Sequence, residues 1–88
     1  MSDPLAALRA KFVARCAEDL AVVRLGPDAP DLARVVHRIA GAAGMFGHDA
    51  LGTLASRLDD DAQGGGRFAE PDLAELAAAL ERTIAGAV

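Results

Sequence analysis

One histidine in this chain combines a nucleophilic side chain with an open approach. His37 lies in the run His37-Arg38-Ile39-Ala40-Gly41-Ala42-Ala43-Gly44-Met45-Phe46-Gly47. A helix advances by about 100° per residue. On that spacing Leu32, Val35, Val36, Ile39, Ala43 and Phe46 gather within about 40–60° of one direction, which is the core. His37 points roughly 140° away from it. The same flank carries only small residues: Ala33, Ala40, Gly41 and Gly44. An unperturbed imidazole titrates near ~6.5, so at neutral pH much of it is uncharged and nucleophilic. Gly41, at i+4, shares the face of His37, and a glycine there lets a bulky group or a partner's backbone come close. Glycine inside a helix costs about 1 kcal/mol against alanine. Gly41 and Gly44 therefore need an offsetting gain, either a partner's approach or tight helix packing.

Four helices are predicted to position this face. The first opens at Pro4 with Asp3 as N-cap. It carries a stripe of Leu5, Leu8, Phe12, Cys16, Leu20 and Val23, and ends near Leu25, before Gly26-Pro27. The second starts between Asp28 and Asp31, carries His37, and stops near Met45 or Phe46 with Gly47 as its C-terminal glycine. The third opens at His48 or Asp49 and buries Leu51, Leu54, Ala55, Leu58 and Ala62. Asp59, Asp60 and Asp61 crowd its end, where the helix dipole disfavours negative charge, so fraying is expected there. Residues 63–67, Gln-Gly-Gly-Gly-Arg, read as a flexible loop. The fourth helix opens near Pro71, has its stripe at Leu73, Leu76, Ala77, Leu80 and Ile84, and runs out at Gly86. This pattern predicts an all-α, antiparallel up-down four-helix bundle. Residues 1–88 are expected to form a single domain, because neither side of the triple glycine could bury a core alone.

Composition agrees with a small helical bundle. The chain has 88 residues, 52% of them hydrophobic, and alanine supplies nearly half of that share. Alanine and leucine are strong helix formers, and β-branched residues are few. A net charge of −4 lacks the basic footprint of a nucleic-acid binder. No stretch is long and apolar enough to span a bilayer, and the Met-Ser-Asp-Pro start is unlike a secretory signal. The single cysteine excludes an internal disulfide and fits a reducing cytoplasm. A monomer is expected; a dimer would need an exposed apolar stripe on one helix.

The residues His37, Ile39, Gly41, Ala42, Ala43, Phe46, Gly47, Leu51, Leu54 and Leu58 resemble the signature of histidine-containing phosphotransfer (HPt) domains. That signature has a His, an apolar residue two on, a Gly four on and a small-residue stretch. An apolar-Gly pair and a leucine-rich helix follow. The motif spans about a quarter of the chain, and the four-helix pattern extends the likeness to nearly all of it. The resemblance implies a phosphorelay carrier, without ATP-dependent kinase activity of its own, that takes a phosphoryl group on His37, at Nε2. Its partners would be a histidine kinase and a response-regulator receiver domain, with no nucleic acid or membrane involved. The imidazole would attack an aspartyl phosphate, and Mg²⁺ would come from the receiver, so no cofactor of the chain's own is expected.

The sequence departs from the family at two places. The family usually has Lys three residues after the His, to hold the phosphoryl group, and often Ser five after; here stand Ala40 and Ala42. Arg34, at i−3, faces His37 and could replace the lysine, since guanidinium binds phosphate oxygens well. Arg38 is adjacent in sequence but points about 100° away, and a residue on another helix could also serve. The expected phosphate- or partner-facing set is thus Arg34, Arg38, Ala40, Gly41 and Gly44. The alternative is a four-helix module that binds a receiver or kinase without accepting phosphate, a reading that Ala40 sustains.

The other candidates have plainer readings. His48 is expected to be solvated or to cap the third helix, and Asp59–Asp61 to be a solvated helix end. Cys16 falls in the core stripe. Ser2 and Ser56 have no evident base beside them. Gly64-Gly65-Gly66 lacks the ending of a phosphate loop. No metal site is expected, because His37 and His48 are not at i, i+4 spacing.

Overall fold

A computed structural model of the chain describes residues 3–86. It contains four helices: α1 (Pro4–Arg24), α2 (Leu32–Ala42), α3 (Asp49–Gln63) and α4 (Glu70–Gly86). A 3-10 turn, Gly44–Phe46, follows α2. Each helix lies antiparallel to the one before it. Asp19 and Phe12 of α1 meet Arg38 and Phe46 respectively. His37 of α2 meets Asp59 of α3, and Arg57 of α3 meets Glu75 of α4. The result is the expected up-down bundle.

The apolar stripes close on one another. Val36, Ile39, Leu58, Leu76 and Leu80 are wholly or almost wholly buried. Each such side chain contributes about 1.5–3 kcal/mol on leaving water. Asp3 caps α1 as expected, its Oδ1 accepting from the Leu5 N–H at 2.9 Å, with Pro4 in the first turn.

Three boundaries differ from the expectations. Leu5 and Leu8 do not join the core: they are 53% and 49% exposed. The cause is length. Phe12 stacks on Phe46 and His48, at the turn between α2 and α3, and α1 runs about two turns past that level to Pro4. The α-helical part of α2 stops at Ala42 rather than at Met45 or Phe46. The chain tightens there to reverse, with the Phe46 and His48 N–H groups both donating to the Ala43 carbonyl at 3.2 and 3.0 Å. Gly47, at φ +84°, completes the reversal in the left-handed region open to glycine. Finally, α3 continues through Asp59–Asp61 to Gln63 instead of fraying. Asp59 is tied down by side-chain bonds, and the Gly64 and Gly66 N–H groups donate to the Asp60 and Asp61 carbonyls at 3.1 and 3.2 Å.

Candidate functional site

Burial of Leu32, Val35, Val36 and Ile39 fixes the rotation of α2 and turns His37 outward, with its side chain 71% exposed. The ring is oriented all the same. Its Nδ1 lies 3.0 Å from Asp59 Oδ2, on α3. The Gln63 Nε2 amide donates to the same oxygen at 3.0 Å. These bonds, that from His37 foremost, hold the Asp59 carboxyl below the usual carboxylate range. At neutral pH Asp59 is therefore ionised and can only accept, so the proton of the bond resides on Nδ1. A neutral ring then keeps its lone pair on Nε2, which has no hydrogen-bond partner among the described residues.

Asp59 is the site residue that the sequence reading missed, having placed it in a solvated helix end. The available signal was position. Asp59 follows Leu58 in the α3 stripe, and α3 must run antiparallel to α2 through a short turn. A carboxylate at that register falls opposite His37.

A second missed residue, Gly52, is buried where α3 meets the end of α2. A Cβ built on Gly52 would lie 3.4 Å from the Gly44 nitrogen and 3.5 Å from the Ala43 Cβ. Those are ordinary van der Waals distances, so Gly52 is buried against the end of α2 with room for little more than a methyl group. Gly41 and Gly44, by contrast, have no atom within 4 Å of where a Cβ would stand. Packing within the bundle therefore does not account for Gly41. It leaves a smooth patch one turn from His37. Ala40 and Gly44 also line a shallow groove between α2 and α3, with Gly52, Thr53 and Ser56 across it.

The two arginines of the expected phosphate-facing set differ. Arg34 is exposed, and its guanidinium reaches Asp31 at 3.1 Å within the first turn of α2. Arg38 is not phosphate-facing. It turns toward α1 and pairs with Asp19, whose side chain is only 5% exposed. Burial pushes the Asp19 carboxyl above its ordinary value, while Arg38 and then Arg15 pull it back. Arg38 is thus a brace between α1 and α2, drawn to the buried carboxylate of Asp19.

His48 is half-buried and makes no side-chain cap. It occupies the N-cap position of α3 without a side-chain capping bond. Its ring stacks on Phe12 at 5.5 Å between centroids, and Phe12 stacks on Phe46 at 5.1 Å. Cys16 is fully buried, and desolvation pushes its thiol up to about 11, which removes it as a nucleophile. Among the described residues no group of three or more His, Cys, Asp or Glu could hold a metal ion. No helix among them is long and apolar enough to cross a membrane.

The site is therefore an exposed, tautomer-fixed imidazole beside a patch without side chains, on the packed pair α2 and α3. A family model described as Hpt domain matches residues 7–86. No curated protein and no solved structure matches the chain.

Proposed function

The chain belongs to the Hpt domain family, and on that premise we propose that it is a histidine phosphotransfer protein with His37 as the phosphoryl acceptor. Hpt domains are phosphocarriers rather than kinases, and work with histidine kinases and receiver domains. The observation that carries the proposal is the bond from His37 Nδ1 to Asp59 Oδ2, which leaves Nε2 free on an exposed ring.

In the proposed step Nε2 attacks the phosphorus of an aspartyl phosphate on a receiver domain. The N–P bond forms as the P–O bond breaks, and the P–O electron pair leaves with the aspartate carboxylate. No proton is released. The ring keeps Nδ1–H and becomes cationic, and the Asp59 carboxylate lies against that charge. Transfer to a second receiver runs the same step backward. Arg34 takes the role of the lysine replaced by Ala40, its exposed guanidinium exchanging Asp31 for the phosphoryl oxygens. The acids around His37 do not fit a cation cage of the chain's own, because Asp59 is engaged by His37 and Gln63. Mg²⁺ enters with the receiver. The relay belongs to the cytoplasm, where kinases and receivers meet.

A second reading is favoured by one observation: Arg34 and Arg38, the two arginines nearest His37 in sequence, hold Asp31 and Asp19. In that reading the bundle binds a receiver or kinase and accepts nothing. The test is transfer from phosphorylated receiver domains or kinases to the purified protein, with His37→Gln alongside. Acid-labile, base-stable labelling that is lost in His37→Gln is the expected result. Receiver binding without labelling of the parent protein establishes the binding module instead.

A further inference from the structure

Two donors share one oxygen beside His37. Asp59 Oδ2 accepts from His37 Nδ1 and from Gln63 Nε2, each at 3.0 Å. The first bond orients the ring. The second has no part in the transfer step, and Gln63 itself is exposed. A Gln–Asp bond at i, i+4 commonly does no more than support its helix. Three features of this one go further.

The first is its place. Oδ2 is the oxygen that His37 uses, so the amide takes a position on it that water would otherwise fill. The Asp59 side chain is only 14% exposed, although it lies one turn from the end of α3. A carboxylate held from two sides is restricted in rotamer, and its bond to the ring strengthens as water is kept off. The second feature is the anchoring of the donor. Gln63 is the last residue of α3, where a helix ordinarily frays. Here the Gly64, Gly65 and Gly66 N–H groups donate back to the Asp60, Ala62 and Asp61 carbonyls at 3.1, 3.1 and 3.2 Å. Gly65 does so at φ +90°, in the left-handed region. The glycine run thus caps the last turn and keeps Gln63 in reach of Asp59. The third feature is chemical. A neutral imidazole free in water carries its proton mainly on Nε2, and that form has no lone pair there. Asp59 must reverse the preference, and whatever holds Asp59 in place sets how completely it does so.

We propose that Gln63 is a positioning residue: through Asp59 Oδ2 it holds the proton of His37 on Nδ1 and so keeps Nε2 available. The consequence for transfer rests on His37 being the phosphoryl acceptor; the location of the proton does not.

NMR of the full chain, made with isotope-labelled histidine, tests this. Long-range proton–nitrogen correlations report which ring nitrogen carries the proton. They are read about two pH units above the ordinary imidazole value, where the ring is neutral. The parent's His37 is expected mainly in the Nδ1–H form. Gln63→Leu removes the donor and keeps a good helix former. Its ratio of Nε2–H to Nδ1–H should rise about two- to tenfold, the range of one net hydrogen bond. Gln63→Lys restores a donor at the same place and should lie closer to the parent than to Gln63→Leu. His48, stacked on Phe12 at the far turn, should keep one ratio throughout. Circular dichroism should match the parent's in both variants, since Gln63 is exposed. An unchanged His37 ratio in Gln63→Leu overturns the proposal. So does a ratio in Gln63→Lys shifted as far as in Gln63→Leu, because side-chain shape and not donation would then be responsible. None of these measurements needs a partner or a phosphoryl donor. A shifted ratio in a chain whose parent accepts no phosphoryl group therefore keeps Gln63 as a positioning residue and removes His37 as the acceptor. Where the parent does accept one, Gln63→Leu should accept it more slowly, by no more than the shift in the ratio.

Discussion

Replacing Gly41 should make this protein more stable and less active at once. Gly41 is the penultimate residue of α2, and a Cβ there meets nothing within 4 Å. Gly41→Ala therefore gains helix propensity without a clash, about 0.5–1 kcal/mol. For a domain of this size that is a rise in Tm of about 2–8 °C, with the lower half expected so near the helix end. Gly41→Leu is likewise free of internal contacts and should fold with stability within about 0.5 kcal/mol of the parent. Its side chain, however, stands about 5–6 Å from that of His37, one turn along the same face. A reacting phosphorus must come to about 3–3.5 Å of Nε2, carrying its receiver domain with it. The leucine occupies that approach. A loss of at least tenfold in transfer rate follows if about 1.4 kcal/mol of docking is forfeited. Thermal melting by circular dichroism and a single-turnover transfer assay read the two effects separately. A lowered Tm in Gly41→Ala would show that the glycine packs inside the bundle. Parent-like transfer by Gly41→Leu would show that receivers do not approach over this face.

Asp59→Asn should slow acceptance by His37, because the amide neither fixes the proton on Nδ1 as firmly nor offsets the cationic ring; the single-turnover assay measures it, and an unchanged rate refutes the orienting role. The same variant tests the pH dependence of folding. The Asp59 carboxyl is held below its ordinary value of 3.8 in the folded chain by its bond with His37. Its contribution is present above that value and is lost as pH falls through the lower, folded one. Denaturation midpoints between pH 2 and 6 (a range of about four units around the carboxylate value) should fall less steeply for Asp59→Asn than for the parent. Arg38→Ala should cost about 2–3 kcal/mol in chemical denaturation, the lower part of the range for stranding one member of a buried pair. Acidification should recover part of that loss by neutralising Asp19, and a parent-like pH profile counts against the brace.

The bundle was legible in the sequence because its signals are periodic and local. The stripes of α2, α3 and α4, Asp3 with Pro4, and Gly47 after Phe46 each depend on neighbours within a turn or two. What the sequence concealed depends on how one helix meets another. Leu5 and Leu8 carry the right period, but their burial depended on α2 and α3 being long enough to reach them. Asp59 and Gly52 have meaning only once α2 and α3 are set in register. Arg38 was expected beside the phosphate from its place next to His37, and it went instead to a buried carboxylate on another helix. Long-range electrostatics of that kind leaves no trace in spacing.

The outward rotation of α2 has a further consequence. His37 is 71% exposed and lies outside the buried core, so in the proposed carrier a phosphoryl group can arrive or depart without repacking that core. The empty and charged forms then share one shape. Partners that must tell them apart have only the added negative charge and the state of one ring to read. Traffic through the protein would accordingly be sorted by electrostatics at the contact face, and the salt concentration would act on its selectivity as much as on its affinity.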